Sequence, residues 1–183
     1  MFDRIFAFLV LSIVLIPCLF VSIFIKMNSK GSVIHWSKRV GQNNKYFLMP
    51  KFRTMKTSTP QVASHLINDP FNHITSIGRF LRKYSIDEVP QFWSVLIGDM
   101  KVVGPRPALY NQEDLIQLRK EKGIHVFKPG ITGWAQINGR DFNTIDEKIE
   151  LEAYYIQNKS LFLDFYIILR TSIKIFNFSE TSH

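Results

Sequence analysis

From Ile5 to Ile25 the chain reads IFAFLVLSIVLIPCLFVSIFI, 21 residues without a charge. As a helix this run is about 30 Å long, the thickness of a bilayer's hydrocarbon core. Apolarity on every face requires lipid or a much larger core than this chain can build. Asp3 beside Arg4, the length of the run and the lack of a small-residue cleavage site argue against a secretory signal. Pro17 sits mid-run and predicts a kink. Two arrangements follow: a kinked span, or a helix-break-helix hairpin that dips into one leaflet and returns. Both leave the remainder on the cytoplasmic face.

After this segment the pattern changes. Residues 45–55, KYFLMPKFRTM, predict an extended strand, and the polar, proline-punctuated stretch 57–73 a surface loop. Ile77, Phe80, Leu81 and Tyr84 follow i, i+3, i+4, i+7 and predict a helix near Thr75–Tyr84. Ser85-Ile86-Asp87-Glu88 has the form of a capping box, but Pro90 favours a second helix beginning there and running through Leu96. Phe127–Phe142 is turn-rich, and Asn138-Gly139 suits a tight hairpin. A polar helix is expected over 143–157. Over 160–178 the sequence is apolar, with Asp164, Arg170 and Lys174 in one helical sector together with Ser160, Thr171 and Asn177; Leu163, Ile167 and Phe178 intrude on that sector. This reads as a helix lying in a membrane interface.

Charge sharpens this division. The 183 residues carry a formal net charge of +8. Residues 1–68 hold nine Lys/Arg against one acid, so the excess lies beside the apolar run. An anionic partner near the N-terminus is expected, such as phospholipid, nucleic acid or a phosphate-rich substrate. A single cysteine, Cys18, excludes an internal disulfide, and five scattered histidines lack zinc spacing.

Candidate chemistry centres on FLRKYSIDEVPQFWSVLIGDMKVVGPRP, residues 80–107. Asp87 and Glu88 are adjacent carboxylates, and keeping both ionised requires a metal or cations nearby. Arg79, Arg82 and Lys83 precede them. Arg106 lies between Pro105 and Pro107, which stiffen its backbone and present its guanidinium to a phosphate. Lys51 and Arg53, two residues apart on the predicted strand, share one face. One carboxylate could act as nucleophile while the other holds Mg²⁺. Phosphoryl transfer to a membrane-borne acceptor is the class these residues suit. A non-catalytic, membrane-anchored nucleic-acid or lipid-binding module would explain the basic half but not the acid pair. A two-carboxylate glycosidase is disfavoured, because neighbouring residues rarely straddle a sugar.

KFRTM, ITSIGRFLRKYSIDEVPQFWSVLIGDMKVVGPRP, KPGITGWAQINGR and YYIQNKSLFLDFYIILRT resemble, in order and spacing, the bacterial sugar transferases, that is, the small monotopic phosphoglycosyl transferases. The resemblance covers nearly the whole chain. It implies an α+β, mainly helical fold: a re-entrant membrane helix hairpin over 1–28, broken at Pro17, and a cytosolic catalytic domain over 29–183 with short strands and interfacial amphipathic helices. It implies transfer of a sugar-1-phosphate from a UDP-sugar to a polyprenyl phosphate, with UMP released, at the cytoplasmic face of the bacterial inner membrane. Asp87 would be the nucleophile and Glu88 the Mg²⁺ ligand. Lys51, Arg53, Arg79, Arg82, Arg106, Arg140 and Glu152 would serve substrate or phosphate. An anionic bilayer is the expected surface and nucleic acid is not expected. Monomer or homodimer, and the identity of the sugar, stay open. Ile16-Pro17 stands where relatives often carry Ser-Pro, and Glu152 where an Asp is usual.

Overall fold

The computed structural model describes residues 2–57, 59, 70–139 and 144–176. Helix α1 (Phe2–Asn28) contains Pro17. It is followed by β1 (Ile34–Val40), β2 (Tyr46–Phe52), a short α2 (Pro70–His73) and α3 (Ser76–Lys83). Then come α4 (Phe92–Ile97), β3 (Lys101–Val103), β4 (Ala108–Leu109), α5 (Glu113–Glu121), β5 (Gly130–Thr132), α6 (Trp134–Asn138), α7 (Ile145–Gln157) and α8 (Leu161–Phe176). This is a mainly helical α+β arrangement, as expected from the sequence.

The strands form two small sheets. One is antiparallel, in the order β2-β1-β4; in the other, β3 pairs parallel with β5. Pro50 lies within β2, opposite Trp36. A proline is tolerated there because β2 is an edge strand. The core between the sheets and helices gathers Met49, Val95, Met100, Val102, Val103, Ile137, Tyr155 and Ile167.

Helix α1 touches this domain near both of its ends. Asp3 Oδ1 accepts from Val102 N (3.1 Å), Arg4 Nη2 donates to Ile97 O (3.3 Å), and Ala7 is fully buried. At the other end Ile25 is fully buried against Phe52 and Leu81. Arg53 Nη2 donates to Ser29 O and to Ser29 Oγ, both at 2.8 Å. Between these attachments Phe8, Leu9, Ile13, Leu15, Ile16, Leu19 and Phe20 are exposed.

Helix α8 turns part of its polar sector inward, while Arg170 is exposed. Tyr155 Oη donates to Asp164 Oδ1 (2.6 Å), and Thr171 and Thr132 share a hydroxyl hydrogen bond of 2.7 Å. Ile167 is buried, and Leu163 packs on the same core. Two of the three apolar residues that interrupt the polar sector in the sequence are therefore core anchors; the third, Phe178, and Asn177 lie outside the described residues. The outward side exposes Leu161, Phe162, Phe165, Leu169 and Ile173. Burial, reinforced by Asp164, holds the Tyr155 phenol above its ordinary pKa.

Two local expectations need adjustment. The helix expected near Pro90 through Leu96 is α4, which starts at Phe92; Pro90 itself lies in the preceding 3₁₀ segment, Ile86–Gln91. Ser85, as Pro90 suggested, does not cap with its side chain and adopts a left-handed conformation (φ 54°). The capping box lies instead at Thr144 and Glu147, at the start of α7. Asn138-Gly139 does not make a hairpin, because the preceding residues close into α6 and Gly139 ends it. Asn138 Nδ2 donates back to Trp134 O (2.9 Å), a helical i−4 contact.

Candidate active site

Helix α3 starts where Thr75 Oγ1 accepts from Gly78 N (3.0 Å). It ends in a tight turn, Ser85 N donating to Arg82 O (3.1 Å). The left-handed Ser85 redirects the chain into the 3₁₀ segment, which lies against β2. That segment carries Asp87 and Glu88. Three residues per turn separate the two side chains by a third of a circle, so they have different neighbours.

Glu88 meets two cations. Lys51 Nζ, from β2, and Arg106 Nη2, from the loop between β3 and β4, each lie 2.8 Å from Glu88 Oε1. Burial alone would raise the Glu88 pKa. Arg106 and Lys51 reverse this and hold the carboxyl well below the ordinary glutamate range. Asp87 is 8% exposed. Burial pushes its pKa up, as does the Glu88 charge, against the pull of Lys51, Arg82 and Arg106. The pair therefore divides into a carboxylate locked in its charged form and a neighbour drawn toward neutrality. Such divergence marks groups with different chemical tasks.

Further cations surround them. Arg82 Nε donates to Thr54 Oγ1 (2.9 Å), and the guanidinium acts electrostatically on Asp87. Arg39 on β1 donates to Ser37 Oγ (3.0 Å) and to Pro107 O (3.2 Å). Burial and the charge of Arg106 bring the Arg39 pKa down to about 10, while Glu88 opposes them. His35, opposite Lys51 across the β1–β2 ladder, is lowered by burial and by Arg39 and Lys51. Burial likewise lowers Lys51, with Glu88 opposing. A cluster with this cation excess suits a polyanionic ligand such as a diphosphate.

The residues singled out from the sequence divide into two groups. Lys51, Arg82, Asp87, Glu88 and Arg106 come together. Arg53 lies under the end of α1 on Ser29, and Arg79 is exposed on α3. Glu152 is 2% exposed, and both its oxygens are engaged by Arg119, through Nε at 2.8 Å and Nη2 at 2.6 Å. Arg140 lies outside the described residues. Sequence reasoning missed His35 and Arg39 as site residues. Their signal was the period-two alternation His35-Ser37-Arg39, which places them on the Lys51 face. Arg119 gave no signal, since Glu113–Glu121 reads as a solvated, charge-rich helix.

Among the described residues no three His, Cys, Asp or Glu side chains form a metal cluster. Mg²⁺ does not require one, since it commonly takes one or two carboxylates and completes its shell with water and substrate phosphates. Among the described residues the hydrogen bonds to Glu88 come to Oε1, so Oε2 could ligate such an ion. The donor set fits Mg²⁺ brought with a diphosphate.

A sequence model described as bacterial sugar transferase matches residues 1–178. The uncharacterized sugar transferase EpsL of Bacillus subtilis (strain 168) is 38% identical over 100% of this chain and 91% of its own length. A UDP-N-acetylgalactosamine-undecaprenyl-phosphate N-acetylgalactosaminephosphotransferase from Aeromonas hydrophila is 38% identical over 82% of the chain and 37% of itself. The UDP-glucose:undecaprenyl-phosphate glucose-1-phosphate transferase of Escherichia coli (strain K12) is 37% identical over 95% of the chain and 39% of itself. The chain thus spans well under half of these longer relatives. With the match running through the acid pair and the proline-flanked arginine, this chain belongs to the bacterial sugar transferase family.

Proposed function

We propose that the chain moves a sugar-1-phosphate from a UDP-sugar to a polyprenyl phosphate. The observation that carries this reading is a buried aspartate beside a glutamate clamped by Lys51 and Arg106. A carboxylate oxygen of Asp87 attacks the sugar-bearing phosphorus of the donor. The bond to the bridging oxygen breaks and its electron pair leaves with UMP. A phosphate oxygen of the polyprenyl acceptor then attacks the same phosphorus and releases the Asp87 carboxylate. Lys51, Arg82 and Arg106 favour the ionised Asp87 against its burial and receive the charge of the phosphoryl oxygens. Arg53 and Arg79 would serve phosphate farther from the reacting atoms, and Arg140 would also serve phosphate. Mg²⁺, held by Glu88, would neutralise charge on the diphosphate.

The setting we propose is the cytoplasmic face of the inner membrane. The apolar middle of α1 enters one leaflet and both of its ends return to the domain, with a bend at Pro17. The attachments at Asp3, Arg4, Ile25 and Ser29 support this topology. The outward apolar side of α8 would rest in the interface, and the cations between Lys26 and Lys56 would meet anionic headgroups.

The test is UMP release with Mg²⁺, undecaprenyl phosphate and a panel of UDP-sugars that includes UDP-glucose and UDP-N-acetylgalactosamine. A non-catalytic binding module releases none. Asp87→Asn is expected to lose turnover by at least about 10³-fold while still folding. Intact mass of the wild type with donor alone is expected to show a sugar-phosphate adduct, absent from Asp87→Asn. An active enzyme that never forms the adduct refutes the covalent route.

A further inference from the structure

The loop that presents Arg106 has an unusual problem of attachment. Pro105 and Pro107 have no N–H, so this stretch must be fastened chiefly through its carbonyls. Each of three successive carbonyls is taken by a different element. Pro105 O accepts from Gly130 N at 2.9 Å, Arg106 O from Arg119 Nη2 at 2.7 Å, and Pro107 O from Arg39 Nη1 at 3.2 Å.

Arg119 is fixed in turn. Its Nε and Nη2 fork onto Glu152 Oε2 and Oε1 at 2.8 and 2.6 Å, with Arg119 8% and Glu152 2% exposed. A buried ion pair is a poor source of net stability, because desolvation offsets most of its attraction. This pair does something a well-packed apolar pair could not: it supplies a donor to the Arg106 peptide. The chain Glu152–Arg119–Arg106–Glu88 runs from the middle of α7 to the acid pair through hydrogen bonds at the Arg106 carbonyl and guanidinium, joined by the Arg106 side chain itself.

We propose that Arg119, braced by Glu152, is a positioning residue that aims the Arg106 guanidinium at Glu88 and the donor phosphates. This rests on the reading of Arg106 given above. It assigns Glu152 to the support of the loop and not to the substrate. An arginine side chain is a long lever, and a small twist of its peptide displaces the guanidinium by on the order of 1 Å, which can lower a rate by up to about 100-fold.

Arg119→Met alone strands the Glu152 charge and can unfold the protein. The informative variant is the double Arg119→Met/Glu152→Met, which removes both charges and keeps the volume. It is compared with Arg119→Lys, which keeps the charge but loses the fork. UMP release is measured with UDP-glucose and UDP-N-acetylgalactosamine, beside thermal unfolding and amide exchange of the 103–109 segment. The double variant is expected to melt within about 3 °C of the wild type. It should nevertheless lose roughly 10- to 100-fold in kcat and exchange the Arg106 amide faster. Added to Arg106→Ala it should cost nothing further, and Arg119→Lys should lie between the double variant and the wild type. Losses that multiply with Arg106→Ala, or a double variant with normal turnover and normal exchange, overturn the inference. Should the double variant not fold, Arg119→Lys in the Arg106→Ala background decides by the same rule. An Arg106→Ala enzyme with full turnover overturns the reading of Arg106 itself.

Discussion

Replacing Lys51 with methionine removes one of the two cations on Glu88 Oε1 while keeping the side-chain length. At 2.8 Å and an effective dielectric near 20, the pair attracts by about 6 kcal/mol before desolvation is charged against it. Breaking a buried pair costs roughly 3–5 kcal/mol. The side chains are 17% and 22% exposed, and Arg106 stays on the same oxygen, also at 2.8 Å. We therefore expect a smaller loss, about 2–3 kcal/mol, typical of a hydrogen bond to a charged group. Denaturant unfolding followed by tryptophan fluorescence in detergent measures it. Glu88 is held below its ordinary pKa. Its contribution is therefore full above the ordinary glutamate range and is lost only as pH falls through the depressed value. The penalty of Lys51→Met should be full at neutral pH and close in strong acid. Activity gives an independent readout. Asp87 is raised by burial, and Lys51 is the foremost group opposing this. Its removal lets the Asp87 pKa rise further, so the acid limb of kcat/KM should move to higher pH. A limb that stays in place or moves down would refute the coupling, and a stability loss under about 0.5 kcal/mol would refute the clamp.

Gly130→Ala should destabilise by about 1–3 kcal/mol and lower kcat, because a Cβ there collides with Gly104 N beside the Arg106 loop; a variant of wild-type stability and rate counts against that close approach. Tyr155→Phe should cost about 1–2 kcal/mol by leaving Asp164 without its 2.6 Å donor, with KM for the donor unchanged; thermal unfolding and UMP release measure the two effects. In a Cys18→Ser background, cysteines introduced at Phe2 and Lys30 should label from the same side of intact vesicles. Labelling from opposite sides would establish a span.

Much of the fold was legible because it depends on local patterns. The i, i+3, i+4, i+7 spacing from Ile77 to Tyr84 located α3, and Thr75, where the expected range began, is its cap. The aromatic residues and cations around Pro50 placed β2. What failed depended on tertiary context. Pro90 argued against a cap at Ser85, but no local signal announced the left-handed turn there that brings Asp87 and Glu88 over β2. Asn138-Gly139 has hairpin chemistry, yet the residues before it close into a helical turn, so the same glycine serves as a stop. Within the site, Asp87, Glu88 and Arg106 stood out by adjacency and by proline flanks. Arg119 did not, because nothing in the mixed-charge run Glu113–Glu121 reveals that its one arginine turns inward.

Helix α8 turns Asp164 and Thr171 toward the core and Phe162 and Phe165 away from it. In water, two demands on its rotation about its own axis disagree: the hydrogen bonds hold one orientation, and the cost of wetting the aromatics favours the opposite. At a lipid boundary both demands select the same angle. In the membrane setting proposed above, the bilayer would set side-chain registry as well as location, and stripping detergent should release this helix before the strands or the acid pair are disturbed.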